Sequence, residues 1–171
     1  MYRFYSLFIF LVILPLSCFS QNDNAKALAF YTAGMENYNA TNYEMAIADF
    51  TKAIEANSDF VEAYFQRGCA KHYSDQYKSA VEDFTTAIDL RPGSEVFYKQ
   101  RGSSKTMLKD YKGAIEDCDK AIELKFDYDK AFALRGILKI ELGDVDGCND
   151  LMKAGEFGYV NANIFIKKYC K

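Results

Sequence analysis

The chain has 171 residues and a formal net charge of −3, and half of its residues are hydrophobic. With 10 glycines and only 2 prolines, its composition is typical of one globular domain with a real core, which excludes a disordered protein. The small negative net charge gives no positively charged surface that would attract nucleic acid or an anionic membrane. A single histidine, His72, excludes metal sites built from several histidines.

The N-terminal residues 1–20 predict a secretory signal peptide. A short basic start precedes an apolar run over residues 4–16, which is shorter than the roughly 20 residues that cross a bilayer. The small residues Cys18 and Ser20 favour cleavage after Ser20. Two alternatives stay open: the stretch LPLSC resembles a bacterial lipoprotein signal that is lipidated at Cys18, and an uncleaved segment would anchor the chain in a membrane.

These interpretations agree that the working domain lies outside the cytoplasm. We therefore expect an exported protein, either periplasmic or secreted. An outer-membrane lipoprotein is the form expected if Cys18 carries lipid, and contact with a membrane is expected only in that case.

A repeat of 34 residues occupies most of the remaining chain. Glycines recur within helix-like flanks at Gly34, Gly68, Gly102 and Gly136. Small residues recur in the same phase at Ala46, Ala80 and Ala114, followed by Cys148, and at Ala53, Ala87 and Ala121, followed by Gly155. Large apolar positions recur at Phe50 and Phe84, followed by Cys118 and Met152. Several columns in one phase indicate a repeat architecture.

Each repeat unit predicts two helices. Apolar residues three and four positions apart mark one face of each run, and short polar breaks separate the runs. No run shows the two-residue alternation of a strand, so we predict an all-α chain. The predicted units are 27–60, 61–94, 95–128 and a degenerate 129–162, and a capping helix is predicted over 160–171.

The glycines predict where the paired helices touch. Gly inside a helix costs roughly 1 kcal/mol relative to Ala, and closer packing offsets that cost where the missing side chain lets two helices approach. We therefore expect each glycine to face a small residue of the second helix. The expected pairs are Gly34 with Ala46, Gly68 with Ala80, Gly102 with Ala114, and Gly136 with Cys148.

These residues resemble the tetratricopeptide repeat family over about residues 27–162. The second unit fits the family pattern best, with Tyr64, Gly68, Tyr77, Ala80, Phe84, Ala87 and Pro92 in matching places. The fourth unit departs at Val145, Cys148, Met152 and Gly155, as a last repeat without a following neighbour can. The resemblance implies a right-handed solenoid of four helix pairs plus a cap, with the first helices lining a concave groove.

The implied groove supplies the candidate partner-binding residues. They are Tyr31, Met35, Tyr38, Phe65, Cys69, His72, Tyr73, Lys99, Ser103, Thr106 and Met107. Aromatic and Met side chains suit the recognition of a peptide. The alternative is that these residues only contact neighbouring first helices. Some family members clamp the terminal carboxylate of a chaperone tail, but only Lys99 keeps the required residue type here, so that activity is not expected.

Four cysteines follow the signal peptide: Cys69, Cys118, Cys148 and Cys170. An even number invites disulfides in an oxidising compartment. Cys148 lies on the last second helix and Cys170 on the predicted cap, so we predict that they form a bridge that clamps this end. The alternative is that both are small packing residues. Cys69 and Cys118 are expected to be unpaired, because their columns face different surfaces.

No motif assembles catalytic or cofactor chemistry. The glycines lie in helices rather than in a phosphate loop, and the cysteine spacings fit no zinc motif. The recurring acidic residues Asp49, Asp83 and Asp117 predict a solvated outer face with some ion pairs. We therefore expect neither an enzyme nor a cofactor or metal site.

The expected function is a non-enzymatic protein-interaction module of the bacterial cell envelope or the secreted fraction. Its partner would be a protein or peptide segment held in the concave groove. The alternative is a structural or self-associating envelope component, or a lipoprotein, without a peptide groove.

Overall fold

The computed structural model describes residues 17–170. Residues 1–16 of the predicted signal peptide and Lys171 of the predicted cap therefore lie outside the described residues. Residues 17–20 form the first turn of the first helix. No described helix combines the length and the apolar composition that a membrane crossing requires.

Nine α-helices make up the described part of the chain, and residues 17–170 contain no strand. The helices are α1 Ser17–Asn39, α2 Tyr43–Ala56, α3 Val61–Tyr73, α4 Tyr77–Leu90, α5 Glu95–Met107, α6 Tyr111–Leu124, α7 Asp129–Glu141, α8 Gly147–Glu156 and α9 Ala162–Tyr169. The predicted all-α class is confirmed.

The helices stack as a curved array of pairs. Each odd-numbered helix from α1 to α7 packs most closely on the even-numbered helix that follows it, and each even-numbered helix packs on the next pair. Successive first helices also contact one another, whereas within residues 17–170 no second helix contacts the next second helix. Because only the first helices approach each other, they form the inner side of the curve.

Each first helix ends in the same left-handed turn. The residues with positive φ are Thr41 at 60°, Asp75 at 62°, Lys109 at 63° and Gly143 at 82°. The next N–H donates to a carbonyl five residues back, as from Gln76 to Lys71 at 2.8 Å. This is the hydrogen bond of a Schellman motif, which satisfies carbonyls that the helix end leaves free. The polar breaks between paired helices are therefore tight and alike.

The glycine contacts differ from unit to unit. A Cβ built on Gly34 would lie 2.6 Å from the Phe50 ring, and one on Gly68 would lie 2.8 Å from the Phe84 ring. The nearest atoms there are aromatic and do not belong to the predicted alanines. In the third unit Cys118 replaces the ring, and the Cβ of Gly102 would lie 3.2 Å from the Ala114 carbonyl oxygen.

The predicted pairing of Gly136 with Cys148 is wrong by one residue. A Cβ on Gly136 would lie 2.7 Å from the carbonyl oxygen of Gly147. Gly147, Leu151 and Ala154 are buried in α8 together with Asp150, whereas Met152 is 47% exposed. Gly143 keeps the turn in phase with the earlier units, so one residue is missing between Gly143 and Gly147.

The fourth unit is therefore one residue shorter than the others in the turn between its two helices. Once the missing residue is allowed for, Gly147, Leu151 and Ala154 occupy the small, large and small positions of the repeat. Cys148 becomes free to face the cap, and the Gly155 backbone leaves room for the Ala162 methyl, which would lie 3.1 Å from a Cβ on Gly155.

A repeating set of buried ion pairs joins the two helices of units two to four. Asp83, Asp117 and Asp150 are buried, which corrects the expected solvated outer face. Each carboxylate accepts from both Nε and Nη2 of an arginine on the first helix: Arg67, Arg101 and Arg135 in turn. A lysine one turn later also pairs with each carboxylate at 2.9 Å: Lys71, Lys105 and Lys139.

Each arginine also reaches the preceding unit. Arg67 donates from Nη1 to the Thr51 hydroxyl at 3.1 Å, and Arg101 donates to the Thr85 hydroxyl at 3.2 Å. Arg135 donates instead to the carboxylate of Asp119. Bidentate, charge-assisted bonds of this kind fix geometry as well as adding energy, so the arginine column ties neighbouring units as well as paired helices.

The cap α9 packs on α8 and α7. Cys148 of α8 and Cys170 form a disulfide with a Cα–Cα distance of 5.7 Å. Cys69 and Cys118 are buried and outside any disulfide.

The contact at Gly136 gives a stability prediction. The atoms nearest to a Cβ there include two backbone atoms, the carbonyl oxygen of Gly147 and the nitrogen of Leu151, which cannot rotate away. We expect Gly136→Ala to lower the free energy of unfolding by about 1–3 kcal/mol, despite the better helix propensity of Ala. Chemical denaturation measures this. Gly93→Ala is the matched control, because nothing lies within 4 Å of a Cβ there. Equal stability of the two variants would contradict the close contact.

The buried ion pairs give a second prediction. Asp117→Asn leaves Arg101 and Lys105 without their shared carboxylate, and breaking a buried pair on one side costs about 3 kcal/mol. We expect a corresponding fall in the free energy of unfolding. Glu123→Gln breaks the exposed pair with Lys120 and should leave the unfolding curve unchanged within error. Indistinguishable curves for the two variants would show that the buried pair has no such role.

Candidate functional site

The inner face of the stack, formed by α1, α3, α5 and α7, is the candidate site. It divides into an aromatic part on α1 and α3 and a more polar part on α5 and α7. Of the sequence-predicted residues, Tyr73 and Met107 are exposed, at 54% and 53%. Cys69 is buried, and the remaining candidates are half-buried: Tyr31, Met35, Tyr38, Phe65, His72, Lys99, Ser103 and Thr106.

The aromatic part is continuous across units one and two. The Tyr31 ring lies 5.0 Å from that of Phe60 and 5.6 Å from that of Phe50, measured between centroids. Further along, Phe65 lies 4.8 Å from Phe97 of the third unit. Rings at these separations attract one another beyond their area burial. Tyr31 and Phe65 on the inner face therefore each pack against rings of neighbouring elements.

A second aromatic group lies where the first helices end. Tyr73 stacks on Tyr43 with centroids 5.5 Å apart, and the Tyr38 ring meets both at steep angles. Burial raises the pKa of Tyr38, and nearby ionisable groups raise it further, so its hydroxyl stays protonated at neutral pH. Tyr38 and Tyr73 thus offer hydroxyl groups beside apolar ring faces.

His72 links the second and third units. Its Nδ1 lies 2.9 Å from the hydroxyl oxygen of Ser104, which is fully buried. Burial lowers the pKa of His72, and the charge of Lys99 lowers it further, so the imidazole is neutral at pH 7. The sequence suggested a surface or groove histidine. The sequence identifies Ser104, after Gly102, as a small helix-contact residue, but its pairing with His72 was not predicted.

The polar part surrounds a pocket of about 370 Å³ between α5 and α7. Lys99, Ser103, Lys130, Ala133, Leu134, Ile137 and Tyr159 line this pocket. Burial lowers the pKa of Lys99, and the nearby charge of Lys130 lowers it further. Lys99 donates to the side-chain oxygen of Gln100 at 3.0 Å, and no carboxylate of residues 17–170 forms an ion pair with it.

The remaining candidates contribute less to an open site. The Thr106 hydroxyl donates to the Gly102 carbonyl at 2.8 Å, which leaves it less available to a ligand. Burial raises the pKa of Cys69 to about 11, so this residue is a neutral part of the wall. Gln100 donates to its sulfur at 3.7 Å.

Sequence reasoning missed Gln100, Lys130 and Tyr159. The 34-residue phase was a usable signal for the pocket residues Ala133 and Ile137, which follow Lys99 and Ser103 by one repeat, but not for Lys130. Tyr159 had no such signal, because it lies beyond the periodic part of unit four. Within residues 17–170 no group of three or more His, Cys, Asp or Glu side chains is placed to hold a metal ion.

Known proteins resemble this chain in the sequence of two units and in the fold of the stacked helix pairs. The model of the family described as tetratricopeptide repeat matches residues 27–60 and 61–94. No curated protein has a sequence that matches this chain. Many solved structures do resemble it in fold.

Three of these structures illustrate the likeness. MamA, from residue 41 to its end, of Desulfovibrio magneticus RS-1 is 19% identical with a TM-score of 0.74, over 81% of this chain and 78% of that one. YrrB, described as having an unusual peptide-binding site, is 19% identical with a TM-score of 0.70, over 89% and 81%. The first repeat domain of Spaghetti (RPAP3), bound to the HSP90 peptide SRMEEVD, is 21% identical with a TM-score of 0.69, over 71% and 96%.

At these identities the structures show a likeness of fold alone. That fold is the stack of helix pairs seen here, and the family match covers two adjacent units of it. Residues 27–94 match the tetratricopeptide repeat family, and the described helices have the fold of a tetratricopeptide-repeat solenoid.

Proposed function

We propose that this protein is a non-enzymatic interaction module that holds an extended segment of another protein along its inner face. The observation that carries the proposal is the row of partly exposed rings on α1 and α3; a separate pocket at Lys99 lies between α5 and α7 on the same inner face. Two of the similar structures, YrrB and the Spaghetti domain, are described with a peptide-binding site or a bound peptide.

The physical case begins with the aromatic part. Tyr31, Phe65 and Tyr73 are held by their neighbours, so a partner would gain contact area there at little cost in side-chain ordering. Aromatic and Met residues are enriched at protein interfaces for this reason. Met35 and Met107 extend the same surface with adaptable side chains.

The polar part favours a particular kind of segment. Lys99 and Lys130 place two ammonium groups beside the aliphatic side chains of Leu134 and Ile137. A segment with apolar side chains followed by an acidic one would complement this order, because the acidic group would pair with an otherwise unpaired Lys99. The partner class proposed here is thus an apolar segment with an acidic end.

We also propose that the protein is exported, with a bacterial periplasmic, secreted or lipid-anchored form. The apolar residues 4–16 and the following LPLSC stretch support export. The Cys148–Cys170 disulfide supports an oxidising compartment, because such bonds are rare in the cytosol.

The groove is tested by site-specific photo-crosslinking in the producing cells. A photoreactive phenylalanine placed at Tyr73 or Met107 lies on the inner face, and matched probes at Met45 and Leu124 lie exposed on second helices. We expect the inner probes to give one discrete protein adduct and the outer probes to give none. Lys99→Gln should lower the adduct yield, because it removes the unpaired charge.

Two outcomes would contradict the groove. Equal adducts from inner and outer probes would mean that the contacts are non-specific. Adducts formed only between two copies of the chain would favour the self-associating alternative.

Export is tested by the mass of the mature protein. Cleavage after Ser20 predicts a chain that begins at Gln21, whereas lipidation predicts a modified N-terminal Cys18. Intact-mass spectrometry of protein from fractionated cells distinguishes the two, and Cys18→Ser should abolish only the lipidated form. A cytoplasmic protein that retains Met1 would exclude export.

A further inference from the structure

The cap helix α9 is attached to the solenoid by little apolar packing. It has 8 residues, of which only Ala162 is buried; Phe165, Ile166 and Tyr169 are partly buried, and Ile164 is 63% exposed. Burial of apolar surface is the main force that docks a helix, and a helix this short is not stable by itself. The Cys148–Cys170 disulfide therefore adds a covalent tie between α9 and α8 where the apolar packing is thin.

This disulfide lies in the wall of an open groove. The groove has a volume of about 540 Å³ and is lined by both cysteines together with Ile140, Gly143, Asp144, Val145, Met152, Ile166 and Tyr169. Cys148 and Cys170 are each partly exposed. Thiol–disulfide exchange requires that a thiolate reach a sulfur atom, and the groove provides that access.

The other two described cysteines cannot act on this bond. Cys69 and Cys118 are buried free thiols. Burial raises their pKa values to about 11 and about 12. The thiolate is the attacking species, so both remain unreactive at neutral pH. Opening the bond therefore calls for a reductant from outside.

The cap is connected to the inner face through Tyr159. This residue packs against Phe132, Ala133 and Ala154, and its ring stacks 6.5 Å from that of Phe165 in α9. Tyr159 also lines the pocket that contains Lys99. Release of α9 would remove the support that Phe165 gives to Tyr159, so the C-terminal wall of the inner face would loosen.

We propose that the Cys148–Cys170 disulfide is a reducible clasp, opened by a dithiol oxidoreductase, that fixes α9 and with it the C-terminal wall of the inner face. A thiolate of the reductant attacks one sulfur and forms a mixed disulfide, and the other cysteine leaves as a thiolate and takes up a proton. The second thiol of the reductant then attacks the mixed disulfide and releases the remaining cysteine.

The exchange transfers two electrons and two protons. The reductant becomes a disulfide, and Cys148 and Cys170 both end as thiols. Any effect of this opening on partner binding rests on the proposed function of the inner face, whereas the opening itself does not.

The test uses the full oxidised chain, with dithiothreitol as the dithiol probe and no denaturant. Free thiols are alkylated and mapped by peptide mass spectrometry, and backbone hydrogen exchange is measured before and after reduction. We expect alkylation of Cys148 and Cys170 but not of Cys69 or Cys118. We also expect exchange over residues 159–169 to rise on the order of tenfold, with helices α3 to α6 unchanged.

A variant without the clasp provides the matched control. Cys148→Ser combined with Cys170→Ser should show the fast exchange of residues 159–169 without any reductant. A bond that resists dithiothreitol until denaturant is added would overturn the proposal, and so would unchanged exchange of α9 after reduction. Neither readout involves a partner, so these failures are distinct from a failure of the crosslinking experiment.

Discussion

Close approach of two helices at a residue without a Cβ is the contact on which this structure depends. Phe rings occupy the space in units one and two, and backbone carbonyls of Ala114 and Gly147 occupy it in units three and four. Dense packing at that point fixes the distance and the rotation of each helix pair. The columns of buried residues and the turns that follow are then aligned from one unit to the next.

The repeated arginines Arg67, Arg101 and Arg135 join neighbouring helix pairs into a stack. Arg101, for example, spans the Asp117 carboxylate of its own unit and the Thr85 hydroxyl of the preceding one. Unit one has Ala33 in the place of the arginine. There Asn37 donates to Asp49 at 2.9 Å in the position where later units have a lysine. The carboxylates of these buried ion pairs are already bound by arginine and lysine. Among residues 17–170, Lys99 on the inner face therefore has no carboxylate partner.

Much of the fold was predictable because small and large apolar residues recur in one phase, and burial enforces that recurrence. The ion pairs were misread for a physical reason. The sequence shows Arg67, Lys71 and Asp83 repeating together, but charged residues are usually exposed, and only the three-dimensional pairing makes their burial tolerable.

The register of unit four was misread for a different reason. A fixed step of 34 residues cannot detect one residue lost from a turn, although the series Gly147, Leu151 and Ala154 restores the pattern when the step is shortened. The polar part of the site was the least predictable. Lys99 and Tyr159 line the same pocket because α5, α7 and the segment before α9 surround it. A local sequence pattern does not show this arrangement of distant segments.

The outer sides of the first and fourth units are covered by different means, and this difference bears on the inner face. Ala70 and Ser104 are fully buried against preceding units, whereas the equivalent Glu36 is exposed, so a charge closes the first end. On the C-terminal side of unit four, the Cys148–Cys170 disulfide and the thinly packed helix α9 cover the stack. Local opening in a solenoid begins at its ends, because a terminal unit has only one neighbour. The rings of α3 lie between packed units and are preorganised, while the pocket at Lys99 borders the segment that the clasp controls. Under the proposed function, the contact area would therefore lie on the better packed units, and charge recognition would lie beside the segment that the disulfide ties down.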